Sequence, residues 1–137
     1  PDIPFVAATI ACTGGPERMA RCQQIVAEAV PELRIVSPIP DWFDVMPKGM
    51  SKAASLPILL DELDITPDEV LVFGDAANDL ELFGAVPNSV AVANAIPEVA
   101  EAARWHVGAS AEEGVADALF EIAVAAVTGG TPDFMKE

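Results

Sequence analysis

Basic side chains are scarce in this sequence. Seven Lys and Arg stand against 22 Asp and Glu, a formal net charge of −15 over 137 residues. A surface of that sign repels a phosphate backbone, which argues against a nucleic-acid partner. Acidity also keeps a chain soluble, so by itself it names no partner. Long apolar runs are missing as well. None approaches the roughly 20 residues needed to span a bilayer, so no membrane association is expected. Pro1 to Phe5 carry no basic stretch ahead of an apolar one, the pattern of a secretory leader. Cysteine is limited to Cys12 and Cys22. Two cysteines make no disulfide framework, and a pair of reduced, partly buried thiols in a cytoplasmic protein is expected. With no second cysteine pair and His106 as the single histidine, no zinc site is expected. A structural role is expected for His106, although histidine is the commonest acid–base residue.

What is present is apolar: 52% of the residues, enough for a globular core. Phe5 to Ala11 reads as a strand, and Thr13-Gly14-Gly15 ends it. Pro16 and Glu17 suit a helix N-terminus, and Met19, Cys22, Val26 and Ala29 recur at helical spacing until Pro31. Leu33 to Val36 and Trp42 to Met46 read as two more strands, with Pro38 and Pro40 bracketing a turn between them. Trp42 is expected in the core. Residues 1–46 thus form a small α/β unit, and Pro47-Lys48-Gly49 marks a boundary before a second unit, 47–137.

In the second unit Ser51 can cap a helix starting at Lys52, with Leu56, Leu59, Leu60 and Leu63 as its buried face. Pro57 inside it predicts a kink or a delayed start. Thr66-Pro67-Asp68-Glu69 has the form of a capping box. Val70 to Phe73 is an uninterrupted apolar run, as in a strand buried on both faces of a parallel sheet. A short helix over Asn78–Phe83, a strand over Ser89–Ala93, a helix over Pro97–Ala103, a strand over Trp105–Val107 and a long helix over Ala111–Val127 follow. Alternating strands and helices predict an α/β fold with a parallel, Rossmann-like sheet. Thr128 to Glu137 reads as a loose tail.

Ligands of open parallel sheets sit beyond the carboxyl ends of the strands. Asp75 lies just past such an end, with Asn78 and Asp79 within one turn. Two carboxylates and an amide form a hard oxygen site of the kind magnesium prefers. The structural alternative is that Asp75 caps the next helix and Asp79 faces solvent. Lys52 sits at a helix N-terminus, where positive charge is disfavoured by the helix dipole, so it can serve an anion. The alternative is a surface lysine lying over Leu56.

The segments Pro47-Lys48-Gly49-Met50-Ser51-Lys52, Val70 to Leu80 (VLVFGDAANDL), Ala91 to Ala95 (AVANA) and Glu113 to Ala116 (EGVA) together resemble the Cof-like phosphatases of the haloacid dehalogenase (HAD) superfamily. The resemblance covers residues 33–120 well and 1–32 loosely. It implies a magnesium-dependent phosphatase acting on a small phosphomonoester, such as a sugar phosphate. It also implies roles: Lys52 pairs with the phosphate and the nucleophile, and Asp75 binds magnesium. Asp79 orients the lysine or holds metal-bound water, and Asn78 hydrogen-bonds the phosphate. Ala76 stands where the family often has glycine or serine. No role follows for Asn94.

One departure is larger. Phosphatases of this family attack phosphorus with an aspartate from an early Asp-x-Asp-Gly-like motif, forming an aspartyl-phosphate. Asp2, Asp41, Asp44 and Asp61 fit no such motif. The expectation is therefore a fragment: residues 1–46 the end of an inserted cap, 47–137 the end of the core, with the attacking strand upstream. Alone, such a chain is expected to be inactive, and to self-associate through the unpaired strand edge or be marginally stable. The alternative function is a non-catalytic HAD-like module that binds phosphate, metal or a partner.

Overall fold

The computed structural model describes residues 7–39 and 41–136. The chain divides into two units, Pro1–Met50 and Ser51–Glu137.

In the first unit, strand β1 (Ala8–Ala11) leads into helix α1 (Pro16–Ala29), then β2 (Leu33–Ile39) and β3 (Trp42–Pro47). The strands form an antiparallel sheet in the order β1-β3-β2. Strand alternation sets the core: Phe43 and Val45 are buried, while Trp42, at the start of β3, is 40% exposed. Trp42 is thus not a core residue; Phe43, one position on, takes that place. On the other face Thr9 Oγ1 donates to its cross-strand neighbour Asp44 at 2.6 Å. Helix α1 covers the buried face with Met19, Cys22 and Val26, which meet Ile10, Leu33 and Ile35. Ala29, expected on that face, is exposed. The sequence ends β2 at Val36, but the strand runs on through Pro38, with a register shift between Val36 and Ile39. An edge strand tolerates proline because its outer N–H groups have no ladder to join. The first part of the expected β1, Phe5 and Val6, and the turn residue Pro40 lie outside the described residues.

The second unit is built from βα repeats. Helix α2 (Lys52–Leu63) precedes β4 (Leu71–Gly74), α3 (Leu80–Ala85), β5 (Asn88–Val92), α4 (Pro97–Ala102), β6 (Trp105–Val107) and α5 (Gly114–Thr128). The strands are parallel, in the order β4-β5-β6. β5 is central and buried from Ser89 to Val92. β4, expected to be buried on both faces, is only half-buried, because it has a neighbour on one side alone. The 3-10 turn Pro67–Glu69 is fixed by Glu69 Oε2, which accepts from Thr66 N at 2.9 Å.

Helix α2 starts at Lys52 without delay, since Ser51 Oγ accepts from Ala54 N at 3.1 Å. It runs through Pro57, which lacks the N–H that would reach back one turn. Leu56 and Leu60 are buried against Val86, but Leu59 and Leu63 of the expected face are 54% and 55% exposed. The apolar stripe is therefore one residue wide per turn. The tail is not loose. A 3-10 turn at Asp133–Met135 follows α5, and Glu121 Oε2 accepts from Asp133 N at 2.7 Å. Phe134 meets Trp105 edge-on at 6.5 Å. His106 takes the structural part expected of it, with Nε2 2.9 Å from Ala100 O. No helix of the described residues is long and apolar enough to cross a membrane.

The Glu113-Gly114-Val115-Ala116 motif acquires a steric reason. A Cβ at Gly114 would stand 2.0 Å from the carbonyl oxygen of Gly108, so only glycine lets the start of α5 meet the end of β6. Because the obstacle is backbone, Gly114→Ala should destabilise the chain by about 1–3 kcal/mol or more. Urea unfolding of the variant, with the midpoint lowered at unchanged slope, is the check.

Candidate functional site

The carboxyl end of β4 and the N-terminus of α2 meet at Asp79. This residue ends the 3-10 turn Ala77–Asp79 that follows β4. It does not face solvent: it is 2% exposed. Asp79 Oδ2 accepts from the backbone N–H of Asp75 at 3.0 Å and of Ala76 at 3.3 Å. Asp79 Oδ1 accepts from Lys52 Nζ. Both carboxylate oxygens are therefore committed to this chain.

The turn can close so tightly because Gly74 precedes it. A Cβ there would lie 2.7 Å from Asp79 Cβ and 2.8 Å from Phe83 Cε1. Any larger residue would push the carboxylate away from the two amides it binds. Behind the turn Phe83 is buried with Ala91 and Val99, and Leu80 packs on the same cluster.

Lys52 does not lie over Leu56 as an ordinary surface lysine. Its side chain is 54% exposed while its head reaches the buried carboxylate. Asp75 differs from Asp79. It does not cap the next turn, whose N-cap is Ala76. It is exposed, and its carboxylate has no hydrogen-bond partner among the described residues; only its backbone is used, with Asp75 O accepting from Ile96 N at 2.9 Å. Asn78 is likewise exposed on the turn. Lys52, Asp75, Asn78 and Asp79 thus come from two neighbouring chain segments, with Asp79 buried and the other three open to solvent.

Among the described residues no group of three or more His, Cys, Asp and Glu side chains could cage a metal. The donor set still suits magnesium. That ion takes one or two carboxylates and fills its shell with water and phosphate oxygens. Asp75 offers one free carboxylate of this kind.

Asn94 had no role readable from sequence. Its Oδ1 accepts from Ser110 N at 2.7 Å, tying the loop after β5 to the loop after β6. The signal was the position alone: an amide just beyond a strand end, where loops need side-chain acceptors.

Burial pushes the Asp79 carboxyl up, but the Lys52 ammonium and the amides of Asp75 and Ala76 outweigh it and hold it below its ordinary 3.8. A depressed carboxyl contributes stability that is complete above the unfolded value and is lost as pH falls through the lower folded one. Glu69, held below its ordinary 4.5 by hydrogen bonds from Thr66, adds a part of the same sign. Thermal unfolding from about pH 6 to pH 3 should show stability falling with acid. Asp79→Asn should be less stable at neutral pH and show a shallower fall, with the Glu69 part remaining. An unchanged acid profile in Asp79→Asn would overturn this account of the carboxylate.

Comparison with known proteins identifies the family of the chain. A family model described as haloacid dehalogenase-like hydrolase matches residues 5–119. The phosphoglycolate phosphatase of Methanothermobacter thermautotrophicus is 44% identical over 71 residues, 52% of this chain and 32% of that protein. The stress response protein YhaX of Bacillus subtilis is 31% identical over 91 residues, 66% of this chain and 32% of that protein. A crystal structure of a haloacid dehalogenase-like hydrolase from Bacteroides thetaiotaomicron superposes with a TM-score of 0.77 at 27% identity, over 88% of this chain and 45% of that one. The chain thus spans about a third of these two relatives and under half of the solved structure. With the family model covering most of its length, the chain belongs to the haloacid dehalogenase-like hydrolase family.

Proposed function

We propose that this chain carries the lysine and magnesium side of a phosphatase site acting on a small phosphomonoester, a sugar phosphate or a metabolite of similar size. The observation that supports it best is the contrast between two carboxylates four residues apart: Asp79 buried and fully bonded, Asp75 exposed and free. In this reading Asp79 is a positioning residue that holds Lys52. Lys52 faces the phosphate, and Asn78 donates a hydrogen bond to a phosphate oxygen. Asp75 is the residue that would hold magnesium directly, and Asp79, whose carboxylate accepts from Lys52 and two backbone amides, would orient the lysine or hold metal-bound water. When bound, magnesium would neutralise charge on the phosphoryl oxygens. The names of relatives such as the phosphoglycolate phosphatase and the HMP-PP phosphatase of an Enterobacter species are consistent with a small phosphate ester.

The attacking carboxylate and the general acid are assigned to a part of a longer protein outside residues 1–137. We assign residues 1–46 to an inserted cap and 47–137 to the core. Beside β4 the sheet has an open edge on which the attacking strand would pair. A cytoplasmic setting suits the two free thiols.

In the protein that includes the attacking strand, Asp75→Asn and Lys52→Ala should each cut turnover by orders of magnitude, roughly a hundredfold or more, since both act on charge in the transition state. Steady-state kinetics on a phosphomonoester with magnesium is the check. Near-normal turnover in either variant would remove the assignment. The 137-residue chain alone should show no turnover of such an ester.

The same chain alone should self-associate. β4 has an open edge, and Ile58 on α2 and Phe120 and Val127 on α5 are 73%, 71% and 88% exposed. Sedimentation at tens of micromolar should give a mass above the 14.3 kDa of one chain. A monomer with a single sharp melting transition would refute this.

A further inference from the structure

The ten-residue spacing of Cys12 and Cys22 says nothing about contact, yet the fold of the first unit brings the two thiols together. Cys12 follows the end of β1 and is buried; Cys22 lies on the core-facing side of α1 and is half-buried. The Cys12 thiol donates to Cys22 Sγ across 3.3 Å. A disulfide needs about 2.05 Å between sulfurs, so the two sulfurs must approach further on oxidation. A second, independent feature opens the pair to solvent. Cys22 lines a surface groove of about 490 Å³ along α1, together with Glu17, Arg18, Arg21 and Ile25. Its lining carries two basic residues, Arg18 and Arg21, and one acidic residue, Glu17, so it is open to small polar solutes.

We propose that Cys12 and Cys22 form an oxidisable dithiol, which hydrogen peroxide or another small hydroperoxide converts into a disulfide stapling α1 to the end of β1. Cys22, the thiol on the groove, attacks first as thiolate. Its sulfur takes one peroxide oxygen, the O–O bond breaks, and the departing hydroxide takes up the proton that the Cys22 thiol released to solvent, leaving as water and giving a sulfenic acid. Cys12 then gives up its proton and attacks the Cys22 sulfur. The S–S bond forms, the S–O bond breaks, and the oxygen leaves as water. Two thiols lose two electrons, and one peroxide becomes two waters. The order of attack suits the environment of Cys12, whose thiol is held above its usual range by its hydrogen bond to Cys22 and by burial, against the opposing charge of Arg18. A dithiol reductant reverses the bond by exchange. The inference is independent of the phosphatase reading, since both cysteines lie in the unit Pro1–Met50 and the proposed phosphate site lies in the other.

Intact mass of the 137-residue chain after a few equivalents of hydrogen peroxide, with denaturing alkylation by N-ethylmaleimide, reads the outcome directly. The expected product is lighter by about 2 Da, takes up no maleimide, and regains two alkylation sites after dithiothreitol. In Cys12→Ser, dimedone should trap a sulfenic acid at Cys22, a gain of about 16 Da before trapping. Cys22→Ser should stay reduced under the same dose. Two thiols still alkylated in the oxidised wild-type chain would overturn the proposal. So would oxygen uptake without loss of two hydrogens, or a disulfide between chains on a non-reducing gel. The wild-type masses decide it even if a serine variant fails to fold.

Discussion

The second unit is organised around one buried carboxylate. Asp79 sits where a charge is costly, and it is retained because three donors meet it: the Lys52 ammonium and the backbone N–H groups of Asp75 and Ala76. Each donor is set by a different level of the fold. The two amides are local, presented by the turn that leaves β4. The ammonium is remote in sequence and arrives only because α2 is docked by Leu56 and Leu60 against Val86, with Val70 and Val72 of the β4 segment beside them. Losing that docking would leave Asp79 buried with its charge only partly met, so packing and electrostatics here fail together.

The same interaction resolves two local oddities. A lysine in the first turn of a helix opposes the helix dipole, by a few tenths up to about 1 kcal/mol. Helix α2 accepts it because the charge is turned onto Asp79, while Ser51 satisfies the Ala54 amide that the lysine cannot serve. Glycine ending a strand is likewise unfavourable in isolation. At Gly74 it is required, because the Asp79 and Phe83 side chains occupy the space a Cβ would take.

Local periodicity made most elements legible in the sequence. Strand and helix order, the Ser51 cap and the grouping of Asp75, Asn78 and Asp79 at one strand end follow from patterns within a few turns of chain, whereas Lys52 was placed with them by the resemblance and is brought there by the docking of α2. What was not legible depends on neighbours distant in sequence. VLVF reads as a doubly buried strand, but β4 has one strand partner, so the same residues are half-exposed. Leu59 and Leu63 fit a helical stripe that nothing covers. Trp42 and Phe43 are adjacent aromatics, and only the pairing register with β1 decides which faces α1. Pro38 reads as a strand end, yet β2 lies at a sheet edge where its missing N–H matters little. The tail looks unstructured because its anchors, Glu121 and Trp105, lie on elements that sequence spacing cannot bring to it.

The loops beyond the strand ends explain why the exposed groups can hold position. Ile96 N donates to Asp75 O, Asn94 Oδ1 accepts from Ser110 N, and Gly114 packs directly on Gly108. The ends of β4, β5 and β6 are thus laced in series, each loop fixed by the next. A carboxylate on such a frame keeps its place without spending its own oxygens on the protein. Asp79 does the opposite, giving one oxygen to Lys52 and the other to the backbone N–H groups of Asp75 and Ala76. Among the described residues the donors to Asp79 come from Ser51–Glu137, so this hydrogen-bonded cluster lies within that unit. Asp75 and Asn78 are exposed on its surface, a division that suits the proposed site, where one set of polar groups would build the frame and another would meet the ligand.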